Sequence, residues 1–87
     1  MKIKFGKGFS KQFDKSPQKV KSAFEKRLEL FKKDKFNPLL NNHALGGKYK
    51  GYRSINVTGN WRAIFREFEE GGLVFFDAIG THPQLYG

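Results

Sequence analysis

The spacing of apolar residues changes once along this chain, and the change limits what it can fold into. Val20, Ala23, Phe24, Arg27, Leu28 and Phe31 recur at three- to four-residue spacing, the period of a helix with one buried stripe. From Tyr49 onward the period is two, in three runs, Lys50–Val57, Trp61–Glu69 and Leu73–Ile79, parted by Thr58-Gly59-Asn60 and Glu70-Gly71-Gly72. Short breaks containing glycine force neighbouring strands to run antiparallel. Ahead of the helix, Lys2-Ile3-Lys4-Phe5 alternates and stops at Gly6, a short strand, and Phe9 and Phe13 suit a turn or two of helix ending at Ser16-Pro17. Ser16 as N-cap and Pro17 in the first turn open the long helix, expected from about Pro17 to Asp34. Lys21/Glu25 and Glu29/Lys33 are spaced as exposed pairs along its outer face. Asn37-Pro38 ends it, and Leu39 to Gly47 reads as an ordered connector with three leucines tucked underneath. The element order β-α-α-β-β-β makes an α+β domain, two N-terminal helices on one face of a small twisted antiparallel sheet.

At 87 residues, this is one small domain, 1–87. Ten phenylalanines among 38% hydrophobic residues argue against disorder. The absence of cysteine excludes disulfides, a thiol nucleophile and a thiolate zinc site. No apolar run approaches the roughly 20 residues that cross a bilayer, and no secretion signal is present, so no membrane is expected and the cytoplasm is the expected location. Seventeen Lys and Arg against eight Asp and Glu give a net charge of +9. Such a surplus attracts polyanions, nucleic acid first. The first 35 residues carry 12 basic and 4 acidic side chains, the remainder 5 and 4. The helix lysines read first as a solvated face.

No phosphate loop, dinucleotide fingerprint or serine nucleophile elbow occurs, so no cofactor is expected. His43 and His82 lack the spacing of a zinc pair, so no metal is expected either. Polar groups of nucleic-acid character do gather in the second half: His43, Lys48, Tyr49, Lys50, Tyr52, Arg53, Trp61, Arg62, His82 and Tyr86. Cations hold phosphates and rings stack on bases. By alternation Val74, Phe76, Ala78 and Gly80 share one face, and the count carried through Thr81 brings His82 to the same side. Tyr52, Ser54 and Asn56 share one face of the second run, and Arg53, Ile55 and Val57 the other, with either face open to be the core.

In three stretches, Asn42-His43-Ala44-Leu45-Gly46-Gly47-Lys48-Tyr49-Lys50-Gly51-Tyr52-Arg53, Asn60-Trp61-Arg62-Ala63-Ile64-Phe65-Arg66 and Gly80-Thr81-His82-Pro83-Gln84-Leu85-Tyr86-Gly87, the chain resembles the RelE/ParE toxin superfamily, and within it the YafQ-like branch. The resemblance covers Asn42 to Gly87 by motif and the rest by length and element order. It implies an active surface on the open side of the sheet. It also implies a ribosome-dependent endoribonuclease that enters the A site and cuts mRNA by attack of a ribose 2′-oxygen, neutralised by a cognate antitoxin. His82 matches the family's general acid and Tyr86 an aromatic position beside it. His43 matches a histidine before the second strand, and Arg53 and Trp61 match the Tyr-Arg and Asp-Trp motifs, although Trp61 and Tyr52 suit packing equally. Lys48, Lys50 and Arg62 complete the set of RNA contacts. Three positions depart from the branch: Asn56 replaces a histidine, Asn60 an aspartate and Ala78 an arginine. Two accounts follow. In one, His43 is base, His82 acid, and Arg53 with Lys48, Lys50 or Arg62 supplies the missing charge. In the other, the depleted site binds ribosome or RNA with weak or no cleavage. The same scaffold also carries ParE-type inhibitors of DNA gyrase, which use none of these groups, and a plain protein-interaction module remains a further alternative.

Overall fold

A computed structural model describes residues 1–86. Strand β1, Lys2–Phe5, leads into α1, Lys7–Asp14, and α2, Gln18–Lys33. The strand His43–Ala44 (β2) follows, then β3, Arg53–Asn56, β4, Trp61–Phe68, and β5, Leu73–Thr81, and the chain closes on a short helix, α3, His82–Tyr86. The sheet runs β1-β5-β4-β3-β2, with the helices α1 and α2 on one face. The α+β reading holds, with three refinements.

First, β1 lies parallel to β5, pairing Ile3 with Val74 and Phe5 with Phe76, while every other pair is antiparallel. Alternation in β1 reveals which face is wet but not the strand's direction. With β4 on one edge of β5, the free edge takes β1, bracketed by Lys2 N–H to Gly72 O at 2.8 Å and Gly6 N–H to Phe76 O at 2.9 Å. Second, the connector holds a strand: His43 pairs with Ser54 and Ala44 with Arg53, extending the sheet by one edge. Of its three leucines only Leu40 is buried, whereas Leu39 is exposed and Leu45 half-buried. Third, β3 begins at Arg53 rather than Lys50, because Gly47–Tyr49 forms a 3-10 turn and Gly51, at φ 94°, reverses the chain before the strand.

The helix boundaries match the apolar stripe, but the cap differs. Ser16 still belongs to the end of α1: its N–H meets Phe13 O at 3.0 Å and its hydroxyl donates to Gln12 O at 2.8 Å. The first turn of α2 is received instead by the Pro17 carbonyl, from the N–H groups of Val20 and Lys21. On the outer face Glu29 pairs with Lys32 rather than Lys33, at 3.1 Å, and Lys21 and Glu25 form no ion pair among the described residues. Lys35, just beyond α2, meets Glu67 of β4 at 2.7 Å and ties the helix end to the sheet.

The core is aromatic, and Phe76 is its hub. Its ring lies 5.4 Å from Phe24, 5.3 Å from Phe65, 6.0 Å from Phe31, 5.7 Å from Phe9 and 5.8 Å from Phe5, centroid to centroid. Such pairs add about 0.5–1.5 kcal/mol each beyond the area they bury. Next to this hub β5 is irregular: Phe65 pairs with Phe76 but Ile64 with Ala78, so Asp77 is the extra residue of a bulge. Phe76 and Ile79 are consequently both buried against the helices, and Ala78 and Gly80 turn to the other face. This corrects the expectation that Val74, Phe76, Ala78 and Gly80 share a side. Arg66 holds the bulge in a fork, Nε to Asp77 Oδ2 at 2.9 Å and Nη2 to Oδ1 at 2.8 Å. The hydrogen bonds to Asp77 push Arg66 further above its already high pKa, so the fork stays charged.

On the face away from α1 and α2, α3 packs onto Gly80. A Cβ there would lie 3.1 Å from Gln84 Oε1 and 3.4 Å from Leu85, so only glycine admits this approach without displacement. Phe76→Ala is expected to lower the unfolding free energy by about 3–5 kcal/mol, a large share of a small domain's total, in urea titration followed by circular dichroism. Gly80→Val should lift α3 from the sheet with the main core intact, read as lost protection of α3 amides in hydrogen exchange and a much smaller change in midpoint.

Candidate functional site

The C-terminal turn is set by a reciprocal cap. Thr81 N–H donates to Gln84 Oε1 at 2.8 Å and Gln84 N–H to Thr81 Oγ1 at 3.4 Å, the pattern of a capping box. His82 therefore begins a helix instead of continuing the strand face on which alternation had put it. Its own N–H donates to Asn60 O at 3.1 Å, which joins it to the β3–β4 turn. One turn on, Tyr86 lies with its ring 4.7 Å from the imidazole. Tyr49 braces this pair from the side, its hydroxyl donating to Leu85 O at 3.1 Å and its ring edge-on to Tyr86 at 5.7 Å.

Facing this turn is the edge strand β2. Asn41, left-handed at φ 47°, points its carbonyl at His43, and Nδ1 of the ring lies 2.7 Å away. A carbonyl oxygen only accepts, so Nδ1 carries the hydrogen and, in the neutral ring, Nε2 keeps the lone pair. The tautomer is one that can take a proton. Between the histidines, Arg62 on β4 is pinned through Nη1 to the carbonyls of Thr58 (2.9 Å), Gly59 (3.2 Å) and Trp61 (3.0 Å). Its Nε and Nη2 make no bond within the protein among the described residues.

These groups line one cleft of about 420 Å³, with His43, Ser54, Arg62, His82 and Tyr86 in its wall together with Asn41, Leu45 and Gly46. A larger groove of about 580 Å³ lies between α2 and the end of β3, lined by Lys19, Lys26, Arg27 and Leu39 among others, and contains no histidine. Among the described residues no three His, Asp or Glu side chains gather as a metal site. Two imidazoles and a guanidinium around one opening suit proton transfer to and from an anionic ester.

Four candidates from the sequence sit in the cleft wall: His43, His82, Tyr86 and Arg62. Arg53 does not. It shares the phase of Ile55, donates from Nε to Asn42 Oδ1 at 2.8 Å and lies over the Phe36 ring at 5.6 Å. Trp61 does not either, because it is in phase with Ala63 and Phe65 and packs against the core. Tyr52 is on the cleft side of the sheet but rests against Arg66 and Tyr49. Lys48 and Lys50 are exposed on the turn that follows Gly46, outside the cleft wall. Asn56 lies on the cleft face of β3 opposite Arg62, Ala78 pairs with Ile64, and Asn60 serves His82 through its main chain. The sequence reading missed Ser54 and Asn41 as members of the wall. Thr81-His82-Pro83-Gln84 was the legible signal for the helix start it also missed.

Known proteins share this fold. The mRNA interferase toxin YafQ of Escherichia coli (strain K12) is 38% identical over 45 residues, 52% of this chain and 47% of that protein, so the match spans about half of that relative's length. The crystal structure of YafQ from E. coli strain BL21(DE3) superposes with a TM-score of 0.82 at 22% identity, covering 98% of this chain and 97% of that one, and shows the fold. A chain of the E. coli DinJ-YafQ toxin-antitoxin complex superposes with a TM-score of 0.70 at 26% identity, covering 98% and 96%. A match to YafQ, the bacterial toxin of a type II toxin-antitoxin system, extends over residues 1–87, and the chain belongs to that family.

Proposed function

We propose that this toxin is an endoribonuclease that cuts mRNA in the ribosomal A site, with His43 as general base and His82 as general acid. The observation that carries the reading is that both imidazoles and Arg62 line one cleft. In the reaction, His43 Nε2 removes the proton from a ribose 2′-hydroxyl and the 2′-oxygen bonds to the adjacent phosphorus. The P–O5′ bond breaks, and protonated His82 gives its proton to the departing 5′-oxygen, leaving a 2′,3′-cyclic phosphate and a 5′-hydroxyl. Arg62 is the cation for the phosphorane oxygens, since its Nε and Nη2 are unused among the described residues while Nη1 is held by the turn. Tyr86 supports the His82 ring and offers a surface for stacking. Lys48 and Lys50, exposed on the turn after Gly46, fit longer-range contacts with phosphates. The excess of lysine on α1 and α2 suits docking on ribosomal RNA and binding of a cognate antitoxin, the kind of partner present in the DinJ-YafQ complex.

A second reading is favoured by the side chains of the departures. Ala78 and Asn56 carry neither charge nor a transferable proton, and each lost electrostatic donor costs about 100- to 1000-fold in rate. A protein with such a site would bind the ribosome and cut slowly.

Primer extension on ribosome-bound mRNA, combined with induced expression, tests the proposal. His82→Ala and His43→Ala should each reduce cleavage by about 100- to 10,000-fold and relieve growth arrest. Arg62→Ala should cost about 100-fold, and Arg53→Ala and Trp61→Phe little in a folded protein. Arrest by both wild type and His82→Ala, with intact messages and DNA breaks, would instead indicate gyrase poisoning. The rate should be bell-shaped in pH, because one histidine must be neutral and the other protonated, and a single-limbed profile would remove one of the two roles.

A further inference from the structure

Two polar atoms on the cleft face of β3 have no hydrogen-bond partner among the described residues. Ser54 lines the cleft, is fully buried, and its Oγ makes no hydrogen bond to the described residues. Two residues on and facing the same way, the Oδ1 of Asn56 is also buried and unpartnered. Buried hydroxyls and amides are nearly always hydrogen-bonded, because water is lost without replacement when they are not. Their neighbours across the sheet do not compensate: Ser54 stands between His43 and Ile64, and Asn56 opposite Arg62, whose Nη1 is taken by the turn carbonyls. An apolar pair would fill this floor at no such cost.

Neither group can transfer a proton near neutrality or carry charge to a phosphate. Together they offer an acceptor, a donor and a hydroxyl that serves as either, the neutral pattern that complements the edge of a nucleobase. The rings of His82 and Tyr86 supply a stacking wall in the same cleft. We infer that Ser54 and Asn56 are the base-recognising floor of the site, binding the edge of a nucleobase that flanks the scissile linkage, while the histidines and Arg62 act on the sugar and phosphate. This rests on the reading of the cleft as an RNA site. The amide at 56 is then a residue of specificity, where the resemblance had marked only a replaced histidine.

The test uses the full chain and four 2′-deoxy homotetranucleotides, which lack the attacking hydroxyl, with binding read by fluorescence anisotropy at low salt. Wild type should separate the tightest from the weakest base by about tenfold, the low end of what one amide–base pair supplies. Ser54→Ala and Asn56→Ala should each shrink that ratio, and the double variant should bring it within about twofold. Ser54→Ala should leave the melting temperature unchanged or raised, since it removes an unpaired polar group, whereas the loss of a purely structural serine lowers it. Equal binding of all four bases by wild type, or variants that weaken all four alike, would overturn the inference. A base ranking in a protein that cuts no message would uphold it and remove the nuclease proposal, and cleavage without any ranking would do the reverse.

Discussion

The bulge at Asp77 allows one strand to serve two faces. Without it, the period of two that buries Phe76 would bury Ala78 and Gly80 as well, and Ile79 would point at solvent. With it, Phe76 and Ile79 both meet the helices while Gly80 presents bare backbone on the opposite side, where α3 settles. The position of His82 descends from that shift. Arg66 and Asp77 hold the irregularity in place by a forked ion pair, one of three described ion pairs and the one with two-point geometry. Its surroundings are apolar on several sides, with Tyr52, Phe68 and Phe75 rings about the guanidinium at 5.2–5.4 Å.

The cleft is fixed chiefly by main-chain groups. Asn41 O orients His43, Asn60 O receives His82, Leu85 O receives Tyr49, and the carbonyls of Thr58, Gly59 and Trp61 hold Arg62. A carbonyl has no rotamer freedom, so side chains tethered this way are positioned as firmly as the turns themselves. Asn60 needs only its backbone to hold His82.

The arginines divide between structure and site. Arg27 donates to Leu39 O, Arg53 to Asn42, and Arg66 to Asp77 by a two-point fork, each anchored outside the cleft wall. Arg62 lines the cleft with part of its fork unspent. Most of the positive surplus belongs to the lysines of the first 35 residues, on the helix layer and β1. The chain thus separates a diffuse field, suited to attracting a polyanion, from a single placed cation, suited to one phosphate.

Periodicity alone determined the class of fold and the approximate strands and helices, because burial of one face imposes a repeat of 3.6 or 2 whatever the partner is. The motifs around His43 and His82 marked where chemistry could be. Which face of β3 meets the helices, and hence that Arg53 and Trp61 turn away from the cleft while Ser54 and Asn56 turn toward it, was decided only in three dimensions. A bulge resets the phase of a strand without leaving a mark in its alternation, and β1 finds its direction from the edge of β5 that is free. Local rules see the neighbours along the chain, whereas a site is made by neighbours across the sheet.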